Sequence, residues 1–74
     1  MVALGIISAT VVKLPGLRHQ RVLAALTQDE LAEKAGVKRH TITRLEGGGD
    51  ARPPTVRRLA DALGCTPADL YAES

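Results

Sequence analysis

A chain of 74 residues makes one small domain, and a domain of that size buries only about 60% of the surface its unfolded chain exposes. Its single cysteine, Cys65, excludes an internal disulfide, and with one Tyr, no Phe and no Trp the core must be built from Leu, Val, Ile and Ala. The net charge of +2 is too small to indicate a polyanionic partner by itself, and one cysteine with no recognisable secretion signal fits a reducing cytoplasm.

The first segment, Val2 to Val12, is rich in Val, Ile and Thr, so β-branching favours a strand over a helix. It lacks the basic leading region of a signal peptide and is too short to span a bilayer. Residues 1–13 are therefore read as an N-terminal arm and residues 14–74 as a helical domain, with Pro15-Gly16 as the break. No second strand is visible in the sequence.

Five short helices are expected after the break. The first spans Leu17 to Ala25, with Leu17, Val22 and Leu26 pointing inward. The second has the clearest start: Thr27-Gln28-Asp29-Glu30 is a capping box, with Leu26 and Leu31 spaced as its hydrophobic staple. Asp29 and Glu30 suit the positive end of the helix dipole, and Gly36 suits a left-handed C-cap. The third helix runs from Lys38 to Glu46, anchored by Val37, Ile42 and Leu45 and stopped by Gly47-Gly48-Gly49. The fourth runs from Pro54 to Leu63, with Val56, Leu59, Ala60 and Leu63 on one face and Gly64 as its cap. A short fifth helix follows Thr66, whose cap repeats that of Thr27, with Cys65 and Leu70 as the staple pair.

The charges are unevenly placed. From Lys38 to Arg58 there are six basic and two acidic residues; beyond Arg58 only Asp61, Asp69 and Glu73 are charged. Ala32 and Gly36, four apart, allow a close crossing and a sharp turn between the second and third helices. Once Val37, Ile42 and Leu45 face the core, the third helix leaves Lys38, Arg39, His40, Thr43 and Arg44 outside. Positions 39, 40, 43 and 44 share one face. A helix fits the major groove of duplex DNA, where Arg, Lys and His reach guanine edges.

The stretch from Thr27 to Val37, the run Thr41-Ile42-Thr43-Arg44-Leu45-Glu46, the run Leu59 to Gly64 and the pair Asp69-Leu70 resemble, in order and spacing, the Cro/lambda-repressor-type (xenobiotic-response-element-like) helix-turn-helix family. The resemblance covers Leu14 to Tyr71. It implies an all-α, five-helix lambda-repressor-like domain carrying an extended β arm. It also implies a cytoplasmic, sequence-specific regulator of transcription on double-stranded DNA, a repressor in its usual form. By the same resemblance Lys38, Arg39, His40, Thr43 and Arg44 are base contacts, and Gln28, Lys38 and Arg52 are phosphate contacts. Arg21 and Glu46 are a structural ion pair tying the first helix to the end of the third.

Two departures from the family pattern stand out. Lys38 occupies a position where Ser or Thr often caps the recognition helix, and Gly47-Gly48-Gly49 replaces a more polar loop, which is expected to leave its backbone N–H groups open to phosphate. His19, His40 and Cys65 are too scattered to suggest a metal site, and Cys65 is read as a small apolar residue. No cofactor is expected. No nucleophile–base pair or paired carboxylate suggests an enzyme. A homodimer on a palindromic operator is expected, because one such module contacts few base pairs, with residues 2–12 pairing as an antiparallel ribbon between two chains. The alternative is an antitoxin-like module that binds a partner protein and autoregulates its operon. A pure interaction domain that has lost DNA binding is disfavoured by the intact basic face.

Overall fold

The computed structural model describes residues 11–72. In chain order they form β1 (Val12–Lys13), α1 (Leu17–Leu23), α2 (Gln28–Ala35), α3 (Arg39–Glu46), β2 (Asp50–Ala51), α4 (Pro53–Leu63) and α5 (Pro67–Tyr71). The interior is aliphatic: Leu14, Leu17, Leu31, Ile42, Leu45, Val56, Leu59 and Leu70 are its largest fully buried side chains. Helix α2 packs on both α3 and α4, while α5 closes the other side against α1 and α4. No described helix is long and apolar enough to cross a membrane.

The caps form where the sequence places them. The Thr27 hydroxyl accepts from the Glu30 N–H at 3.1 Å, and the Thr27 N–H donates to the Glu30 carboxylate at 2.8 Å. The same reciprocal pair joins Thr66 and Asp69. Both devices satisfy orphan amides of the first helical turn. Leu31 and Leu70 are buried, with Leu26 and Cys65 partly buried against them as the staple spacing requires.

Three expectations are corrected. Val22 does not point inward: it is 59% exposed. At about 100° per residue, position 22 lies roughly 140° from Leu17, whereas Arg21 lies only about 40° away. The inner line of α1 therefore runs from Leu17 to Arg21. Helix α1 also ends at Leu23, two residues early, because Ala25 turns into the left-handed region at φ 59°. Helix α4 starts within one residue of its expected position, at Pro53, with Arg52 in the extended N-cap position.

The third correction concerns the arm. Val12 and Lys13 pair in antiparallel register with Ala51 and Asp50 of the same chain. The second strand was illegible because it is two residues long and follows three glycines, leaving no alternation to read. Val12, the last residue of the expected ribbon between two chains, thus has a partner within its own chain, beside buried Leu14 and Ala51. Residues 2–10 of that expected ribbon lie outside the described residues. Just past β1, the Gly16 N–H donates to the Leu70 carbonyl at 2.9 Å. A Cβ on Gly16 would meet the carbonyls of Asp69 and Ala72, so only glycine allows α5 to sit this close.

An alanine in the left-handed region is strained by about 1–2 kcal/mol. Ala25→Gly should relieve that strain and, after the extra chain entropy glycine loses on folding, stabilise the domain by about 0.5–1 kcal/mol. Urea unfolding followed by circular dichroism measures this directly.

Candidate nucleic-acid interface

Helix α3 is fixed from below. Ile42 and Leu45 are fully buried, and Val37 packs partly buried at its entry. The turn before it is closed by the Val37 N–H donating to the Ala32 carbonyl at 2.9 Å, with Gly36 in the left-handed cap. Buried Ala32 gives the crossing helix room. Lys38, Arg39, His40, Thr43 and Arg44 all remain exposed, on the side of α3 away from the core. Lys38 stands at the N-cap with extended backbone and makes no side-chain cap bond. Arg39 lies 3.3 Å from Asp29, but both side chains are largely exposed, and such a pair is worth about 0–1 kcal/mol.

Behind this face runs a chain of polar contacts. Arg21 Nε donates to Glu46 Oε2 at 2.6 Å, and Arg21 Nη2 donates to Glu46 Oε1 at 3.1 Å. A third donor, Arg21 Nη1, reaches the Leu26 carbonyl at 2.9 Å. Both side chains are nearly buried, at 13% and 7% exposure. Gln28 Nε2 donates to the same Glu46 Oε1 at 3.1 Å, and the Thr43 hydroxyl donates to Gln28 Oε1 at 3.2 Å. The pair expected from resemblance alone is thus a geometric fact, and it reaches the exposed face through Gln28, which the sequence reading treated only as a phosphate contact. Burial pushes the Glu46 carboxyl up, but hydrogen bonds from Arg21 and Gln28 and the charges of Arg21 and Arg18 outweigh it, holding the carboxyl below the ordinary glutamate range. The bond to Glu46 raises Arg21 in turn.

The glycine loop differs from expectation. Its amides are not open: the Gly47 N–H donates to the Thr43 and Arg44 carbonyls, that of Gly48 to Leu45, and that of Gly49 to Arg44 at 2.9 Å. They close the end of α3 in the way helix C-termini commonly do, satisfying its last carbonyls. The side chains that act here are cationic. Lys13 Nζ donates to the Gly48 carbonyl at 2.9 Å and lies 3.3 Å from the Asp50 carboxylate. Arg44 Nη1 donates to the Asp50 carbonyl at 3.0 Å. A Cβ on Gly49 would stand 2.8 Å from Arg44 Nη1 and 2.9 Å from its Cγ, so the Arg44 side chain lies across a position where any side chain would push it aside. Neither the Lys13 contacts nor the Arg44 seat has a signal in the sequence. Arg52 is exposed at the start of α4, without an ion pair among the described residues.

Among the described residues no cluster of three or more metal-ligating side chains exists. Burial and the nearby Asp69 push the Cys65 thiol up, which disfavours the nucleophilic thiolate.

A family model described as a helix-turn-helix domain matches residues 16–72. The chain belongs to that family. Its type is the Cro/lambda-repressor one. The restriction-modification controller protein C.AhdI from Aeromonas hydrophila is similar, with 30% identity over 76% of this chain and 86% of that chain and a TM-score of 0.71. A hydroxyethylphosphonate dioxygenase variant matches at 26% identity and a TM-score of 0.71, covering 85% of this chain but only 14% of that one. The same fold therefore also occurs as a small part of a much larger protein.

Two predictions follow from the geometry. Glu46 has a depressed folded pKa, so its stabilising contribution is complete above the unfolded value of about 4.3 and is lost as pH falls through the lower folded value. Circular-dichroism unfolding from about pH 6 to about pH 3 should show this loss in the native chain and less of it in Glu46→Gln. At neutral pH that variant should be about 1–3 kcal/mol less stable, between the values for exposed and buried pairs. Gly49→Ala should dislodge Arg44 from the Asp50 carbonyl while leaving the far side of the core intact. Amide chemical shifts should move around Arg44, Gly49 and Asp50 and stay fixed around Leu70.

Proposed function

We propose that this chain is a non-enzymatic, sequence-specific regulator that inserts α3 into the major groove of duplex DNA, acting as a homodimer on a palindromic operator and repressing transcription from it. The observation that carries this reading is the outer face of α3. Five polar side chains, Lys38, Arg39, His40, Thr43 and Arg44, stand exposed on a helix whose opposite face is buried. A rigid helix rich in donors on one side is what base-edge recognition requires. Arg39, His40, Thr43 and Arg44 face the bases; Gln28, Lys38 and Arg52, at the starts of α2, α3 and α4, hold the backbone. Likeness to a restriction-modification controller supports a regulatory role. The homodimer follows from the small footprint of one module and from the two-fold symmetry of paired half-sites.

Selection of bound sites from random duplex DNA, with sedimentation of the resulting complex, tests this reading. A two-fold symmetric consensus bound by two chains is expected; no enrichment would refute it. On the selected site, Arg39→Ala should cost about 1–3 kcal/mol and relax preference at one base pair. Arg52→Ala should instead weaken all sequences alike and lower the salt slope by about one unit. Fluorescence anisotropy at several salt concentrations separates the two behaviours.

A further inference from the structure

We infer that Thr43 selects thymine through its methyl group, because neighbouring groups of the same chain have already taken its only hydroxyl proton. The inference rests on α3 reading duplex DNA and specifies what one position of that face can recognise.

The reasoning begins at Glu46. An ionised carboxylate only accepts hydrogen bonds. Its Oε1 lies 3.1 Å from the Gln28 side-chain nitrogen, which fixes which way round the Gln28 amide stands. The reversed amide would set oxygen against oxygen. Gln28 Oε1 is therefore turned to Thr43, at 3.2 Å, and the only hydrogen that can fill that contact is the Thr43 hydroxyl proton. Among the described residues the one other acceptor near the hydroxyl is the Arg39 carbonyl at 3.3 Å, which also belongs to the protein. Whichever acceptor takes the proton, none is left to donate outward. The charge of Glu46, itself fixed by Arg21, thus dictates through two side chains what Thr43 shows to a ligand.

In the major groove, guanine shows only acceptors, and adenine N7 and thymine O4 are acceptors too. A threonine without a donor bonds to none of them. What it still offers is a methyl group, whose match in the groove is the 5-methyl of thymine, and oxygen lone pairs, which only the amino groups of adenine and cytosine can fill; an A·T pair alone presents a match to both. Arg39 and His40, exposed beside it, supply the donors that Thr43 lacks. This division of labour gives the face one apolar reading position among hydrogen-bond donors.

Deoxyuridine removes the thymine methyl and changes no hydrogen-bonding group. Each thymine of the selected operator is replaced in turn by deoxyuridine, and the affinity ratio of the two duplexes is measured for the native chain, Thr43→Ser and Thr43→Val. Serine keeps the hydroxyl and loses the methyl; valine does the reverse. At one thymine of each half-site the native chain should lose about fourfold, the worth of one buried methyl-sized group. Thr43→Val should keep that ratio, even if the unpaired Gln28 oxygen weakens binding to both duplexes, and Thr43→Ser should abolish it. A ratio that survives in Thr43→Ser, one that vanishes in Thr43→Val, or the lack of any sensitive thymine would overturn the inference while leaving duplex recognition standing. Failure to select any site at all would overturn both.

Discussion

The ion pair between Arg21 and Glu46 is the joint on which the functional face depends. It connects α1 to the last residue of α3, holds the chain leaving α1 through the Leu26 carbonyl, and accepts Gln28 from the start of α2. Three helices meet at one carboxylate. Because both partners are largely shielded, water compensates either charge only in part, and breaking the pair costs more than losing an exposed one. Hydrophobic attraction is non-directional, so an aliphatic core carries angular information only through the shapes of its side chains. A forked, directional pair adds a constraint of its own. The orientation of α3 is set from both ends: by the tight turn at Gly36 and by this joint at Glu46.

The other end of the face is controlled by the loop after α3. Three glycines there do not create an open anion site; they let the chain fold back so closely that its amides are spent on the end of the helix. Lys13 and Arg44 then grip the carbonyls of Gly48 and Asp50 from outside. The strand pair between Val12–Lys13 and Asp50–Ala51 is the backbone part of the same grip. Sequence far from the motif therefore helps to shape it: a lysine 37 positions away touches the residue that Arg44 also holds.

What was legible in the sequence follows the range of the interactions. The two capping boxes, the glycine caps and the buried stripe of α4 are local, written within four residues of each other, and they appear where expected. The tie between Arg21 and Glu46 spans 25 positions and came only from family likeness. Val22 runs against its hydrophobicity: on a seven-residue helix angular position decides, and the partly buried Arg21 rather than Val22 follows Leu17 on the inner line. The second strand, burial of Leu14 and Ala51, and the loop contacts of Lys13 depend on pairings across more than 30 residues, and nothing local announces them. Of the candidate site, the exposed side chains were readable from periodicity. Which of their donors remain free was not, because that is decided by the neighbours behind them.

The all-aliphatic interior has a practical consequence for anyone studying the domain. Tyr71 is its only aromatic residue, and it is 46% exposed. Folding thus leaves little trace in fluorescence: there is no indole emission to shift, and the one phenol keeps nearly half of its surface exposed. The same darkness makes the protein an unusually clean host for a reporter. A single tryptophan placed at an exposed position beside α3, excited on the red side of tyrosine absorption, would emit alone, and every change in its light would come from its own surroundings.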